Sequence, residues 1–229
     1  MPHDVSLMFR IVDLTGVLLN AIIGGLVARE RRFDIVGFLL LAIVSALGGG
    51  MLRDVLLQAG RPLALTDSHY LLFALAGAVI AYLINVEGRV WNVLFPIADA
   101  LALGTWAATG ATRSLQVGVG WLPAILLGLA TAVGGGSIRD VAVGRVPAIF
   151  GGNKLYAIPA LVSAGIVAAA HGLRWSSQTG LIVATVLGAG LALGAHVFGW
   201  TVPVYGDGTL EGVRERFAGR TRRPRRRRR

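Results

Sequence analysis

Along the first two hundred residues, polar positions appear as brief interruptions in long apolar runs. Stretches free of Asp, Glu, Lys and Arg cover 14–28, 35–52, 68–86, 100–112, 114–138, 155–173 and 175–206. A bilayer core about 30 Å thick is crossed by about 20 mostly apolar residues wound as a helix. Two of the seven stretches are short only because Asp13 and Asp99 interrupt them. Extended through those acids, both reach spanning length. The pattern therefore predicts seven transmembrane helices, over 7–28, 35–57, 69–86, 90–110, 119–143, 155–172 and 180–200. Backbone in lipid must satisfy its own hydrogen bonds, which leaves helices or a closed barrel. The alternation of apolar and polar residues that a barrel needs is missing, so the fold class is an all-α membrane protein.

Composition agrees. Of 229 residues, 55% are apolar and 15% charged, against about 25% charged in soluble domains. Ten of the 22 basic residues fall after Gly212, so the helical part is poorer still in charge. Apolar content this high excludes disorder, and the 32 glycines have no period of three, which excludes collagen. Cys is absent, removing disulfides, thiol nucleophiles and cysteine-held metals. His3, His69, His171 and His196 are scattered near helix ends without metal-ligand spacing, and no Ser/His/Asp arrangement is legible. The reading is a protein that is not an enzyme and carries no cofactor.

Basic residues in short loops mark the cytoplasmic side. With the N-terminus outside, the inner side carries Arg29, Arg31, Arg32, Arg89, Arg145, Lys154 and the arginines after Gly212, while the outer side has Arg10, Arg61, Arg113 and Arg174. That places a multi-pass protein in the cell membrane with its C-terminus in the cytoplasm. Residues 1–210 read as one transmembrane domain, and 211–229 as a disordered basic tail. Beside a membrane helix such a tail favours anionic lipid, and nucleic acid is not an expected partner.

The chain also repeats itself. Shifted by 86 residues, Gly48-Gly49-Gly50-Met51-Leu52-Arg53-Asp54-Val55 lies over Gly134-Gly135-Gly136-Ser137-Ile138-Arg139-Asp140-Val141. The same shift superposes Asp13 on Asp99, Gly24 on Gly110, Ser45 on Thr131 and Tyr70 on Tyr156. Repeat 1 covers about 7–86 and repeat 2 about 90–172; the helix at 180–200 lies outside both. Three helices per repeat is an odd number, so the second copy enters the membrane from the opposite side. Inverted repeats place the functional path near the midplane, at their interface.

Three successive glycines within an apolar helix cost roughly 1 kcal/mol each relative to Ala and invite a break. The second and fifth predicted helices are thus expected to be broken at Gly48–Gly50 and Gly134–Gly136. Freed carbonyls there can replace the hydration of a small cation. Asp54 and Asp140 would open the second half of each broken helix, where a carboxylate suits the dipole. Arg53 and Arg139 would turn to other partners, with Asp13 and Asp99 the available acids. Charge inside a membrane usually faces the bundle interior and pairs. Ser45 and Thr131 could coordinate an ion or bond their own i−4 carbonyls. Tyr70 and Tyr156 read as interface anchors rather than gates.

Two Gly-Gly-Gly-x-x-Arg-Asp copies in a three-plus-three-plus-one membrane protein resemble the prokaryotic branch of the trimeric intracellular cation channels. The resemblance spans about 7–200. It implies a homotrimer in which each subunit has its own pore for monovalent cations such as K⁺ and Na⁺. The pore would pass Gly48, Gly49, Gly50, Gly134, Gly135, Gly136, Ser45 and Thr131, and be gated or structured by Arg53, Asp54, Arg139, Asp140, Asp13 and Asp99. No resident metal or cofactor is implied, beyond the permeating ion and bound lipid. Relatives associated with glycine transport keep a second reading open, a secondary transporter of a small amino acid using the same midplane site.

Overall fold

The structure, a computed structural model of the chain, describes residues 3–84, 89–150 and 156–201. Its elements are α1 (His3–Glu30), α2 (Ile35–Leu57), α3 (Leu63–Thr66), α4 (Ser68–Leu83), α5 (Arg89–Val117), α6 (Trp121–Ala142), α7 (Ala157–Gly172) and α8 (Ser177–Phe198). Each of the seven predicted helices is present. The four-residue α3 is the addition, a short turn between α2 and α4 that no apolar run announces. Residues 85 and 86, Lys154 and the 211–229 tail lie outside the described residues.

Helix starts follow local chemistry. The Asp34 carboxylate accepts the Gly37 amide at 2.7 Å, and Ser176 Oγ accepts the Thr179 amide at 3.1 Å. Each satisfies an amide that a first turn leaves without a partner. α8 stops at Gly199, whose φ of 67° is left-handed, a conformation that glycine adopts without a Cβ penalty.

Among the described residues five segments are long and apolar enough to cross a bilayer: Phe9–Glu30, Ile35–Leu57, Val93–Val117, Trp121–Ala142 and Ser177–Phe198. α4 and α7 are apolar but have only 16 residues, about 24 Å of helix. They are the third helices of the two repeats, so the shortfall is itself duplicated. Leu40, Leu72, Val79, Leu83, Leu126, Val186 and Val197 point outward and are exposed. In water this would be a liability; against lipid it is the expected surface.

Within each repeat the first helix packs on the second and third: α1 on α2 and α4, and α5 on α6 and α7. The two halves meet through equivalent helices, α2 against α6 and α1 against α5. α8 lies on the second half, against α5 and α7. With lipid outside, no hydrophobic force drives helices together, and close approach of small residues does the work. A Cβ built on Gly24 would fall 2.7 Å from Ser45 Cβ, and one on its repeat partner Gly110 would fall 2.5 Å from Thr131 Oγ1. The first and second helices of each repeat are therefore pressed together at the same place.

The expected breaks are not found. α2 and α6 each run as one α-helix through their triple glycines. The missing Cβ atoms serve helix-to-helix approach instead, so the backbone keeps its regular winding.

Candidate functional site

At the centre of the molecule α2 and α6 cross on their glycines. A Cβ on Gly49 would lie 2.1 Å from the Thr131 carbonyl oxygen, and a Cβ on Gly135 would lie 2.1 Å from that of Ser45. The two contacts exchange under the 86-residue repeat. Gly134 faces the Gly49 Cα, at 3.0 Å from a built Cβ, and Gly48 faces Ile138 Cδ1 at 2.9 Å. The third glycine of each triplet differs. A Cβ on Gly50 would meet only Arg53 Nη2, at 3.8 Å, and one on Gly136 would meet Arg139 Nη2 at 3.6 Å and Tyr156 Oη at 3.8 Å. Two glycines per helix thus make the crossing, and the third leaves room for a guanidinium.

Each arginine uses that room to fold onto its own neighbour. Arg53 Nε donates to Asp54 Oδ1 at 2.8 Å. Arg139 donates to Asp140 Oδ1 from Nε at 3.0 Å and from Nη2 at 2.9 Å. The second oxygen of each aspartate ties down the following loop. Asp54 Oδ2 accepts the Leu63 amide at 2.9 Å, and Asp140 Oδ2 accepts the Ala148 amide at 3.3 Å. This corrects the expected pairing of Arg53 and Arg139 with Asp13 and Asp99. It also corrects the dipole argument, because Asp54 and Asp140 sit near the C-terminal ends of unbroken helices. A carboxylate opposes the dipole there; the adjacent guanidinium and the loop amide offset that cost. Nη1 of both arginines is buried without a hydrogen-bond partner among the described residues.

Asp13 and Asp99 are held by tyrosines. Tyr70 Oη donates to Asp13 Oδ2 at 2.5 Å, and Thr109 Oγ1 of the other repeat donates to Asp13 Oδ1 at 3.2 Å. Tyr156 Oη donates to Asp99 Oδ1 at 3.2 Å. Tyr70 is buried at 6% exposure, so the expected role of these tyrosines as interface anchors is replaced by a polar one inside the bundle. Asp13 remains an electrostatic neighbour of Arg53, and Asp99 of Arg139. Each half therefore holds an Arg-Asp pair beside a tyrosine-bound carboxylate.

A cavity of about 20 Å³ joins these groups in the first half, lined among others by Asp13, Gly50, Arg53, Asp54, Tyr70 and Thr131. That is room for about one water. Ser45 Oγ donates to Asn20 Oδ1 on α1 at 3.2 Å, and Thr131 Oγ1 donates to its own i−4 carbonyl, Leu127, at 2.6 Å. Of the two roles open to these hydroxyls, Thr131 takes the self-bonding one and Ser45 braces a neighbouring helix.

Asn20 and Thr109 belong to the site although sequence reasoning passed over them. The available signal was a lone polar residue inside an apolar helix, which in a membrane points inward. A further cluster closes the Asp67 end of α4 against α1. Arg10 Nη2 lies 3.0 and 2.8 Å from the two Asp67 oxygens, and His69 Nδ1 lies 2.8 Å from both Asp67 Oδ1 and Arg10 Nη2. Burial works against ionisation of Asp67, yet the His69 amide, the His69 ring and the Arg10 charge outweigh it and hold the carboxyl below its usual range. At the opposite end Arg29 donates to the Ile84 carbonyl at 2.9 Å and to that of Tyr82, closing the last turn of α4, while Arg145 meets Glu30 at 3.0 Å across the two repeats.

Two copies of one three-helix unit, pressed together on glycines and each carrying a buried Arg-Asp pair, define a duplicated multi-pass membrane protein. The family model described as glycine transporter matches the chain twice, over 10–85 and 96–172, with starting points that differ by the same 86 residues as the sequence repeat. The chain belongs to that family. A UPF0126 membrane protein of Deinococcus radiodurans is 36% identical over 74% of this chain and 80% of its own length. The UPF0126 inner membrane protein YadS of Escherichia coli is 30% identical over 77% of this chain and 87% of its own. Among solved structures, the TRIC trimeric intracellular cation channel orthologue from Rhodobacter sphaeroides superposes with a TM-score of 0.78 at 30% identity, covering 84% of this chain and 98% of that one. The resemblance to the prokaryotic trimeric intracellular cation channels is borne out.

Proposed function

We propose that the chain is a monovalent cation channel, conducting K⁺ and Na⁺, that assembles as a homotrimer with one pore in each subunit. The observation that carries this reading is the likeness, over 84% of this chain, to the Rhodobacter sphaeroides protein described as a trimeric intracellular cation channel orthologue. The site's chemistry supports it. Carboxylates at Asp13, Asp99, Asp54 and Asp140 supply negative charge inside the bundle, and Arg53 and Arg139 keep it from holding an ion too tightly. A path that binds weakly at several places conducts better than one that binds strongly at one. The path runs beside the α2–α6 crossing, through the polar clusters, rather than through broken backbone. The protein performs no covalent chemistry. The N-terminus faces outward and the basic tail lies in the cytoplasm against anionic lipid.

The family model's own description favours a second reading, a secondary transporter for glycine. Proteoliposomes containing the purified chain separate the two. Radiolabelled rubidium should exchange rapidly down its gradient, without saturating in the millimolar range and without glycine. Saturable, ion-coupled accumulation of radiolabelled glycine, with no rubidium exchange, would replace the channel by the transporter.

A further inference from the structure

The two repeats are not equivalent at their tyrosine-held carboxylates, and the difference is a cavity. In the first half Asp13 is 3% exposed, accepts two hydroxyls and borders about 20 Å³ of space. In the second half Asp99 accepts one hydroxyl, at 3.2 Å, and borders a cavity of about 70 Å³. That cavity is walled by Phe95, Pro96 and Leu103 of α5, by Tyr156, and by Ala192 and His196 of α8. α8 lies outside the repeat, so nothing in the first half can reproduce this wall.

We propose that Asp99 and the space before it form a binding site for a small monovalent cation, one that the first repeat does not share. About 70 Å³ is several times what one water needs, enough for a partly dehydrated ion with water beside it. The lining provides a carboxylate, a phenol oxygen and an imidazole, with the rings of Phe95 and Tyr156 at its border. An anion would meet Asp99 directly. A divalent ion requires six or more oxygen ligands or an octahedral water shell, and this wall supplies one carboxylate. The Arg139 charge acts on Asp99 from α6, with Asp140 beside it, which weakens cation binding and lets the ion leave. The identity of the ion rests on the channel reading; the existence of the site does not.

The test uses the full chain in detergent, with thermal unfolding followed by tryptophan fluorescence at constant ionic strength. Replacing N-methylglucamine chloride with KCl should raise the midpoint saturably, because an ion that binds only the folded state stabilises it. Asp99→Asn should weaken the apparent K⁺ affinity by about tenfold or more. Ala192→Phe, which fills the cavity and leaves the carboxylate in place, should do the same and covers the case in which Asp99→Asn does not fold. Asp34→Asn, at an exposed helix cap outside the cavity, should keep the K⁺ response. A wild-type midpoint indifferent to K⁺, or an unchanged K⁺ response in Ala192→Phe, overturns the site. Absent rubidium exchange with an intact, Asp99-dependent K⁺ response would sink the channel reading and leave the site standing.

Discussion

Replacing Gly49 or Gly135 by Ala sets two effects of opposite sign against each other. In a helix interior Ala is favoured over Gly by about 1 kcal/mol, so propensity alone predicts a more stable protein. The crossing predicts the reverse. The new methyl would stand 2.1 Å from a backbone carbonyl oxygen, of Thr131 in one case and Ser45 in the other. A carbonyl in a helix cannot swing away as a side chain can, so α2 and α6 must separate by roughly an ångström. Overpacking of this kind costs typically about 1–3 kcal/mol and occasionally more, and separation also forfeits the close contacts on which helix association in lipid depends. The clash wins, and both variants should be destabilised by about 1–2 kcal/mol net. Gly50→Ala is the internal control, since its methyl would meet only Arg53 Nη2 at 3.8 Å; propensity should prevail there and stability should hold or rise. Thermal unfolding of the purified variants in one detergent measures all three. Equal loss in Gly50→Ala and Gly49→Ala would mean that the whole triplet needs glycine for its backbone freedom, as a broken helix does. Wild-type stability in Gly49→Ala and Gly135→Ala would refute the close-crossing argument.

Other outcomes follow from the polar groups. Asp54→Asn takes from the Arg53 guanidinium, 2% exposed, the carboxylate it is bonded to and leaves only the more distant Asp13 charge; removing one partner of a buried pair costs about 3–5 kcal/mol, so yield and melting temperature should fall, and a normal melt would show that the pair is dispensable. Asp67 has a carboxyl pKa held below that of the unfolded chain, so its contribution is complete above about pH 4 and is lost as pH falls through the lower, folded value. Stability measured between pH 5 and 2 should therefore decline less steeply in Asp67→Asn than in the wild type, and parallel curves would remove Asp67 from the account.

The fold was largely legible because lipid imposes a simple rule: length and apolarity of a run suffice to find a helix. The 86-residue shift that aligned the triple glycines also superposed Asp13 on Asp99 and Tyr70 on Tyr156, and the structure repeats their contact in both halves, Tyr70 with Asp13 and Tyr156 with Asp99, but that these residues would meet was not legible. What three glycines do was not legible. Backbone release and close packing both require a missing Cβ, and only the facing carbonyls, which would stand 2.1 Å from a Cβ built on Gly49 or Gly135, distinguish them. Nor could adjacency in sequence reveal the Arg-Asp pairing. Positions one apart leave a helix about 100° apart, but a long guanidinium folds back over Gly50 and reaches Asp54 Oδ1. α3 escaped notice because four residues leave no period, and the cavity before Asp99 because it depends on α8, a helix outside the repeat.

Whether cations cross each subunit beside the α2–α6 crossing is decided by a recording from the purified protein in a planar bilayer under a KCl gradient. Unitary, ohmic currents whose reversal potential lies close to that of K⁺ are expected. Bilayers that stay silent after verified insertion, or currents that reverse near the chloride potential, would contradict that path.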